Sequence, residues 1–448
     1  MKVLLTAHQF FPDFRAGTEV LTISVAKELV IRGHNVRVFT GYPSIEDLHD
    51  LNRFDQYVYE GIHVYRFHHT YTPMGDQQSL VEIGYDNKLA AEFFGQVLES
   101  FQPDVVHFFH LNRLGSGLIE KAANANIPAF LTPTDFWFIC PTGQLVLTSG
   151  KMCAGPSENA GNCVKHLAMG TQKDLIGSII NYVPISIVDF VVKLEKLNML
   201  PTYPNHLEVK AISSRLVRNM SRLNMLSKVI SPNNFMTKKL LEYGLIQEKI
   251  VDSAFGIDLT GSGSGRTLLR TTTEILKIGF IGTLAPHKGC HILMQAFKML
   301  PKGSAKLKVF GNAEEFPEYF NKLQLLADNS PLIDFCGTFD NSRIGEVLDG
   351  VDVLVVPSVW YENTPLVIYS AQANQCPVVA SNFPSIAEVI QDNHNGLLFE
   401  AGNSKELAEK LYSLIVNSNL LSDLSRQCKE PKPIATYVDE LLCTWSRI

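Results

Sequence analysis

The sequence predicts an α/β chain of two doubly wound domains, on three observations. Its 448 residues, 46% hydrophobic and 19% charged, exceed what one core ordinarily holds at roughly 100–200 residues per domain. Short apolar runs alternate with amphipathic helical stretches, which is the pattern of parallel strands joined by crossover helices. That alternation runs twice, interrupted by TGSGSGR (Thr260–Arg266), whose Gly and Ser content predicts a flexible, exposed connector.

The first series opens with a strand Lys2–Thr6, a helix Gly17–Arg32 and a strand Asn35–Thr40. In that helix Leu21, Val25 and Leu29 fall four apart and turn one apolar stripe to the sheet, and Gly33 suits the helix C-terminus. Asp104–Phe109, a helix near Leu114–Ala125 and Pro128–Leu131 continue the rhythm, which after Thr132 gives way to an irregular insert at about 140–225. The second series runs from a strand Lys277–Gly282 through a helix Cys290–Leu300 and a strand Lys306–Phe310. It continues with a helix Phe316–Ala327, a strand Leu332–Phe335, a helix Ser342–Asp349 and a strand Asp352–Val356. A helix from Thr364, a strand Pro377–Ala380 and a helix from Ser404 complete it. The organisation is therefore a first domain over 1–258, a connector over 259–270, a second domain over 271–425, and a C-terminal segment 426–448 with an amphipathic helix at Ile434–Trp445.

Composition limits the partners. With 39 basic and 45 acidic residues the formal charge is −6, so the footprint of a nucleic-acid binder is missing and an anionic ligand must be met locally. Met1 leads into VLL and then polar residues rather than a secretory signal, and no run reaches the ~18–20 apolar residues of a spanning helix, so a cytoplasmic protein is expected. Leu175–Val192 carries Asn181, Pro184 and Asp189 and is flanked by Lys173, Lys193 and Lys196, a composition suited to an interface. Lys165–Lys249 holds twelve basic and six acidic residues, and Arg215, Arg218 and Arg222 fall at i, i+3 and i+7 on one helical face. Two readings stand for this segment: docking on an anionic membrane surface, peripheral on its inner face, or a buried helix pair beside a solvated basic face.

Doubly wound domains bind ligands where loops leave the carboxyl ends of the strands. Three such loops carry chemistry. In HQFFPDFRAGTE (His8–Glu19), Gly17 lets backbone amides approach a phosphate at a helix N-terminus, or merely permits a tight turn. In GTLAPHKG (Gly282–Gly289), Lys288 stands beside a helix start, where an ammonium and free amides together can neutralise a diphosphate. In VPSVWYENTPLVIYSAQA (Val356–Ala373), Glu362 follows a strand, and Asn363, Thr364, Pro365 and Leu366 form the first turn of the next helix with Pro365 near N1. Amides of that turn can hold phosphate while the carboxylate accepts bonds from sugar hydroxyls; the plainer reading is a Glu favouring the helix dipole. No G-x-G-x-x-G follows the first strand, which argues against a dinucleotide-dependent oxidoreductase.

Together with RGHNVRVFT (Arg32–Thr40), PDVVHFFHL (Pro103–Leu111), TPTDFWFICPTGQL (Thr132–Leu145) and NGLLF (Asn395–Phe399), these loops make the chain resemble retaining glycosyltransferases of family 4 over nearly its whole length. The resemblance implies the GT-B fold, two Rossmann-like domains facing an interdomain cleft. It implies hexosyl-type transfer from a nucleotide-sugar to a hydroxyl with retention and without a required cofactor, in assembly of polysaccharide or a lipid-linked glycan. It further implies that Lys288 binds the donor pyrophosphate, that the Gly17 loop closes over it, and that Glu362 with the following amides holds the sugar. Three positions depart from the family pattern. Thr283 stands where an Arg is common, Ser370 where a second Glu grips the donor ribose, and Thr134 where a His lies near the reacting sugar. Asp135, His107 or His110 could supply that last polar group. The departures leave open a catalytically silent GT-B protein that binds a glycan or partner.

Cys140, Cys153, Cys163 and His166 form a C-x12-C-x9-C-x2-H series. Three thiolates and an imidazole match a closed tetrahedral zinc site of structural kind; the alternative is reduced, separately packed thiols.

Overall fold

A computed structural model describes residues 1–45, 48–147, 149–171, 182–259 and 274–446. The expected connector at Thr260–Arg266 and the first part of the apolar stretch, 175–181, lie outside these. The chain divides into two compact units, Met1–Ala254 with Tyr437–Ile448, and Phe255–Thr436.

The first unit is built on an eight-stranded sheet of β1 (Lys2–Ala7), β2 (Asn35–Pro43), β3 (Phe54–Tyr59), β4 (Ile62–His69), β5 (Val105–Phe108), β6 (Ala129–Leu131), β7 (Lys228–Ser231) and β8 (Ile250–Asp252). The order is β3-β4-β2-β1-β5-β6-β7-β8. β1, β5 and β6 are buried on both faces, which is why they read as continuous apolar runs. The helix Gly17–Ile31 buries Leu21, Val25 and Leu29 as its spacing predicts. The antiparallel pair β3–β4 was not expected; its two-residue turn is Glu60–Gly61, both with positive φ (47° and 81°). Glu is an uncommon first residue for such a turn, so the sequence carries a weak hairpin signal there.

The insert is irregular over the described residues of 141–160, and beyond them it contains the helices Gly161–Thr171, Ile185–Lys196 and His206–Leu223. On the last of these, two of the three arginines of the stripe turn inward. Arg215 and Arg222 are buried, Arg218 pairs with Glu82 at 3.1 Å and Asp86 at 2.5 Å, and Arg222 pairs with Asp86 at 2.7 Å and Glu120 at 3.0 Å. Acidic partners far away in sequence thus take up the charge of Arg218 and Arg222, and the stripe is not a wholly solvated basic face.

The C-terminal helix Ile434–Trp445 sends Tyr437, Val438, Leu441 and Trp445 into the core of this unit. The Trp445 indole donates to His107 Nδ1 at 3.3 Å, and Tyr437 OH meets Thr132 Oγ1 at 3.0 Å.

The second unit holds a six-stranded, wholly parallel sheet: β9 (Leu276–Ile281), β10 (Ala305–Phe310), β11 (Ile333–Gly337), β12 (Val353–Val356), β13 (Val378–Ser381) and β14 (Gly396–Phe399). Its order, β11-β10-β9-β12-β13-β14, reverses direction between β9 and β12. In doubly wound sheets that reversal opens a crevice at the strand ends, where ligands bind.

Candidate functional site

Lys288 and Glu362 leave the two strands that flank the reversal. Lys288 ends the short turn Pro286–Lys288 after β9, and Glu362 lies in the loop after β12. Gly289 has φ +73°, and a Cβ there would stand 1.8 Å from the Pro357 carbonyl oxygen, so only glycine lets the two loops approach. The Val359 amide donates to the His287 carbonyl at 2.8 Å and fastens them. The result brings Lys288 Nζ to 2.8 Å from Glu362 Oε1.

Glu362 is 4% exposed, and the same Oε1 accepts from Ser358 Oγ at 2.6 Å and from the Trp360 indole at 2.7 Å. Burial pushes its carboxyl up, but Lys288 and these donors outweigh that and hold it below its ordinary value. The Ser385 hydroxyl donates to the Glu362 carbonyl and fixes the backbone. Trp360 lies with its ring centroid 4.9 Å from Lys288 Nζ and packs edge-on against His287. Burial, then Lys288, lowers His287 to about 4, so its imidazole is neutral at pH 7. The Lys288 side chain is 26% exposed and is the outward cation of the group.

The turn after Glu362 differs from expectation. The helix begins at Leu366 with Pro365 as its N-cap, and Asn363 and Thr364 lie before it, buried. Thr364 has φ +61°, an uncommon conformation for a β-branched residue and a local strain of the kind concentrated at functional sites. Thr283 sits half-buried in the β9 loop, its carbonyl accepting from Ala285 N at 2.8 Å. The Ser370 hydroxyl turns back on its own helix, to the Leu366 carbonyl at 3.3 Å.

A second polar cluster occupies the corresponding reversal of the first unit, between β1 and β5. His110 Nε2 is 3.0 Å from Asp135 Oδ2, and His110 Nδ1 accepts from Asn112 N, which leaves Nε2 as the protonated nitrogen facing the carboxylate. Trp137 N donates to Asp135 Oδ1 at 2.8 Å. The His8 ring lies 4.1 Å from that of His110, and His8 Nδ1 is 3.8 Å from Glu19 Oε1. Glu19 is fully buried; the Gln9 side chain and nearby backbone amides favour its charge only weakly, and burial outweighs them and pushes it up to about 7. Thus Asp135 and His110 come together, whereas His107 is a core residue satisfied by Thr132 and Trp445. Thr134 Oγ1 accepts from Thr18. Gly17 starts its helix with open space where a side chain would be.

Ser358, Trp360 and His287 around Glu362, and His8 and Glu19 in the first unit, have no spacing signal of their own in the sequence; their one signal is that all lie inside the three post-strand loops. Cys140, Cys153, Cys163 and His166 do line one cavity, with Asn162 and Leu167 among its walls. As placed, no three His, Cys, Asp or Glu side chains among the described residues form a group that could hold a metal ion.

The two units define the chain as a GT-B protein, two Rossmann-like domains each with polar loops at the reversal of its sheet. Residues 270–430, nearly all of the second unit, match the family Glycosyl transferases group 1. An uncharacterized glycosyltransferase of Methanocaldococcus jannaschii is 29% identical over 151 residues, 34% of this chain and 41% of that protein. The N,N'-diacetylbacillosaminyl-diphospho-undecaprenol alpha-1,3-N-acetylgalactosaminyltransferase of Campylobacter jejuni is 28% identical over 144 residues, 32% of this chain and 36% of that protein. The chain thus spans about two fifths of these relatives. The crystal structure of Anabaena HepE in complex with UDP and glucose superposes over 100% of both chains, with TM-score 0.63 at 17% identity.

Proposed function

We propose that the chain is a retaining glycosyltransferase that moves a hexosyl group from a nucleotide-sugar to a hydroxyl, with no catalytic metal. The Lys288–Glu362 pair at the reversal of the second sheet carries this reading. A diphosphate entering there competes for the exposed ammonium, and the amides opening the helices at Cys290 and Leu366 add to its field. Drawn off Lys288, the Glu362 carboxylate is free to accept sugar hydroxyls while Ser358 and Trp360 continue to donate to it. As the bond from anomeric carbon to phosphate oxygen breaks, the acceptor oxygen bonds on the same face and its proton passes to the leaving phosphate. Asp135 and His110 are proposed on the acceptor side, and Gly17, Thr283, Asn363, Thr364 and Ser370 as donor contacts. The HepE complex with UDP and the undecaprenol-linked compound in the Campylobacter relative's name support a nucleotide-sugar donor and a lipid-linked acceptor.

Among the described residues no helix is long and apolar enough to cross a membrane. The helix Ile185–Lys196 nevertheless exposes Ile187, Phe190 and Val191 beside Lys193. We infer a cytoplasmic protein that docks this helix on the anionic inner face of a membrane. Phe190→Asp should abolish sedimentation with anionic vesicles; unchanged binding would remove this helix from the interface.

The function is tested by melting the protein with UDP, GDP, ADP and their sugar conjugates. A ligand at 100 times its dissociation constant stabilises by about 2.7 kcal/mol. One nucleotide and its sugar should raise the midpoint. Lys288→Met should lower turnover by about 100-fold or more, and the product should keep the donor's anomeric configuration by NMR. An inverted product overturns retention. No shift with any nucleotide, in a folded sample, makes the silent GT-B protein the correct reading, with Thr283 and Ser370 as its cause.

A further inference from the structure

We propose that Cys140, Cys153, Cys163 and His166 bind one structural zinc ion that ties the insert of the first unit together. Three separate stretches supply the residues. Cys140 follows the Asp135 turn, Cys153 follows the Val146–Met152 bridge, and Cys163 and His166 stand three apart on the helix Gly161–Thr171, hence on one face. All four line the same cavity, none of the three thiols is in a disulfide, and the proposed transfer uses none of them.

A buried charge supplies the second observation. Arg215 is 3% exposed; Nη2 donates to the Trp137 carbonyl, the guanidinium lies 5.1 Å from the Trp137 ring centroid, and Nη1 is buried with no hydrogen-bond partner. Cys140, Cys163, Tyr85 and Asp135 lie within electrostatic reach of it. Asp135 is already held by His110 and the Trp137 amide. Beside neutral thiols, then, this cation has no counter-charge of its own, an expensive arrangement in a buried site. A divalent zinc ion held by three thiolates and a neutral imidazole is a net anion, which matches Arg215. Separately packed thiols leave the mismatch standing.

As placed, Cys140 Sγ meets Thr142 Oγ1 at 3.3 Å and Cys153 Sγ points to the Gly155 carbonyl at 3.7 Å. Ligation turns both thiols from these weak hydrogen bonds toward Cys163 and His166 and releases three thiol protons to solvent. The ion would join the loop 140–153 to a helix whose start is already bound to the next one. Asp189 accepts from Ser157 Oγ at 2.7 Å and from Gly161 N at 2.8 Å.

The test is the metal content of the full chain purified from zinc-sufficient medium. About one zinc per chain is expected, lost in Cys163→Ser and kept in Cys443→Ser, whose thiol is exposed elsewhere. To separate metal loss from misfolding of Cys163→Ser, the wild-type chain is also stripped with a chelator and titrated with cobalt(II). Thiolate-to-cobalt charge transfer and tetrahedral d–d bands saturating at one equivalent, with a raised melting temperature, support the site. A folded wild-type chain without zinc that gives no cobalt–thiolate band overturns it, as does equal zinc in Cys163→Ser.

Discussion

Two buried carboxylates show how neighbours decide what one residue type does. Glu362 has three donors on one oxygen and stays ionised; Glu19 has only weak ones, from Gln9 and the local backbone, and burial pushes it up to about 7. The signs of their pH linkage are opposite. Glu362 contributes stability that is present above the carboxylate's unfolded value and is lost as pH falls through its lower folded one. Glu19 binds its proton more tightly in the fold, so stability present below the unfolded value near 4.5 is lost as pH rises through about 7. The full loss is of order 3 kcal/mol. His8, which burial keeps neutral, works the other way, losing stability as pH falls below 6.5. Glu19→Gln should therefore be more stable than wild type at pH 8 by urea denaturation, with the difference shrinking toward pH 5. A constant difference across that range would show that Glu19 does not titrate there. The first partnership is not legible in sequence, because Glu362 meets Lys288 across 74 positions.

At the scale of elements, the loops that close the second unit's site depend on Gly289. An alanine there meets both a positive φ and the Pro357 carbonyl. Gly289→Ala should cost at least about 1–2 kcal/mol and weaken nucleotide binding, read from the melting midpoint with and without ligand; a variant with the wild-type midpoint and shift would show that the loops do not need this approach. Strand and helix positions were largely legible, since two-sided burial writes β12 as an apolar run, alternation of buried and outward residues writes β10, and helical spacing writes Gly17–Ile31. Polar elements were read less well. The β3–β4 hairpin turns on Glu-Gly, and the helix His206–Leu223 carries arginines whose partners, Glu82, Asp86 and Glu120, lie more than a hundred residues earlier. A helical wheel shows that Arg215, Arg218 and Arg222 share a face but not which way it turns.

Across the whole molecule, the C-terminal segment returns to the first unit, and His107 explains how it is held. Burial lowers His107 to about 3, so it is neutral at pH 7; Nδ1 accepts from Trp445 while Nε2 meets Thr132. Trp445→Ala removes a buried ring and leaves that nitrogen without its donor, an expected loss of about 3–5 kcal/mol, measured as a lower urea midpoint. An unchanged midpoint would mean that the first unit is complete without the helix.

The sequence by itself determined the class of fold and marked the three post-strand loops as candidates for a site, because strand burial, helical spacing and post-strand glycines are local properties written in adjacent residues. It also marked Cys140, Cys153, Cys163 and His166 as a series. Only the tertiary structure decided that Lys288 meets Glu362, that His110 rather than His107 faces Asp135, that the arginine stripe is spent inside the first unit, and that four scattered side chains share a cavity with the buried Arg215 close by. Those are relations between segments distant in the chain, and they exist only once parallel strands in non-sequential order bring the segments together.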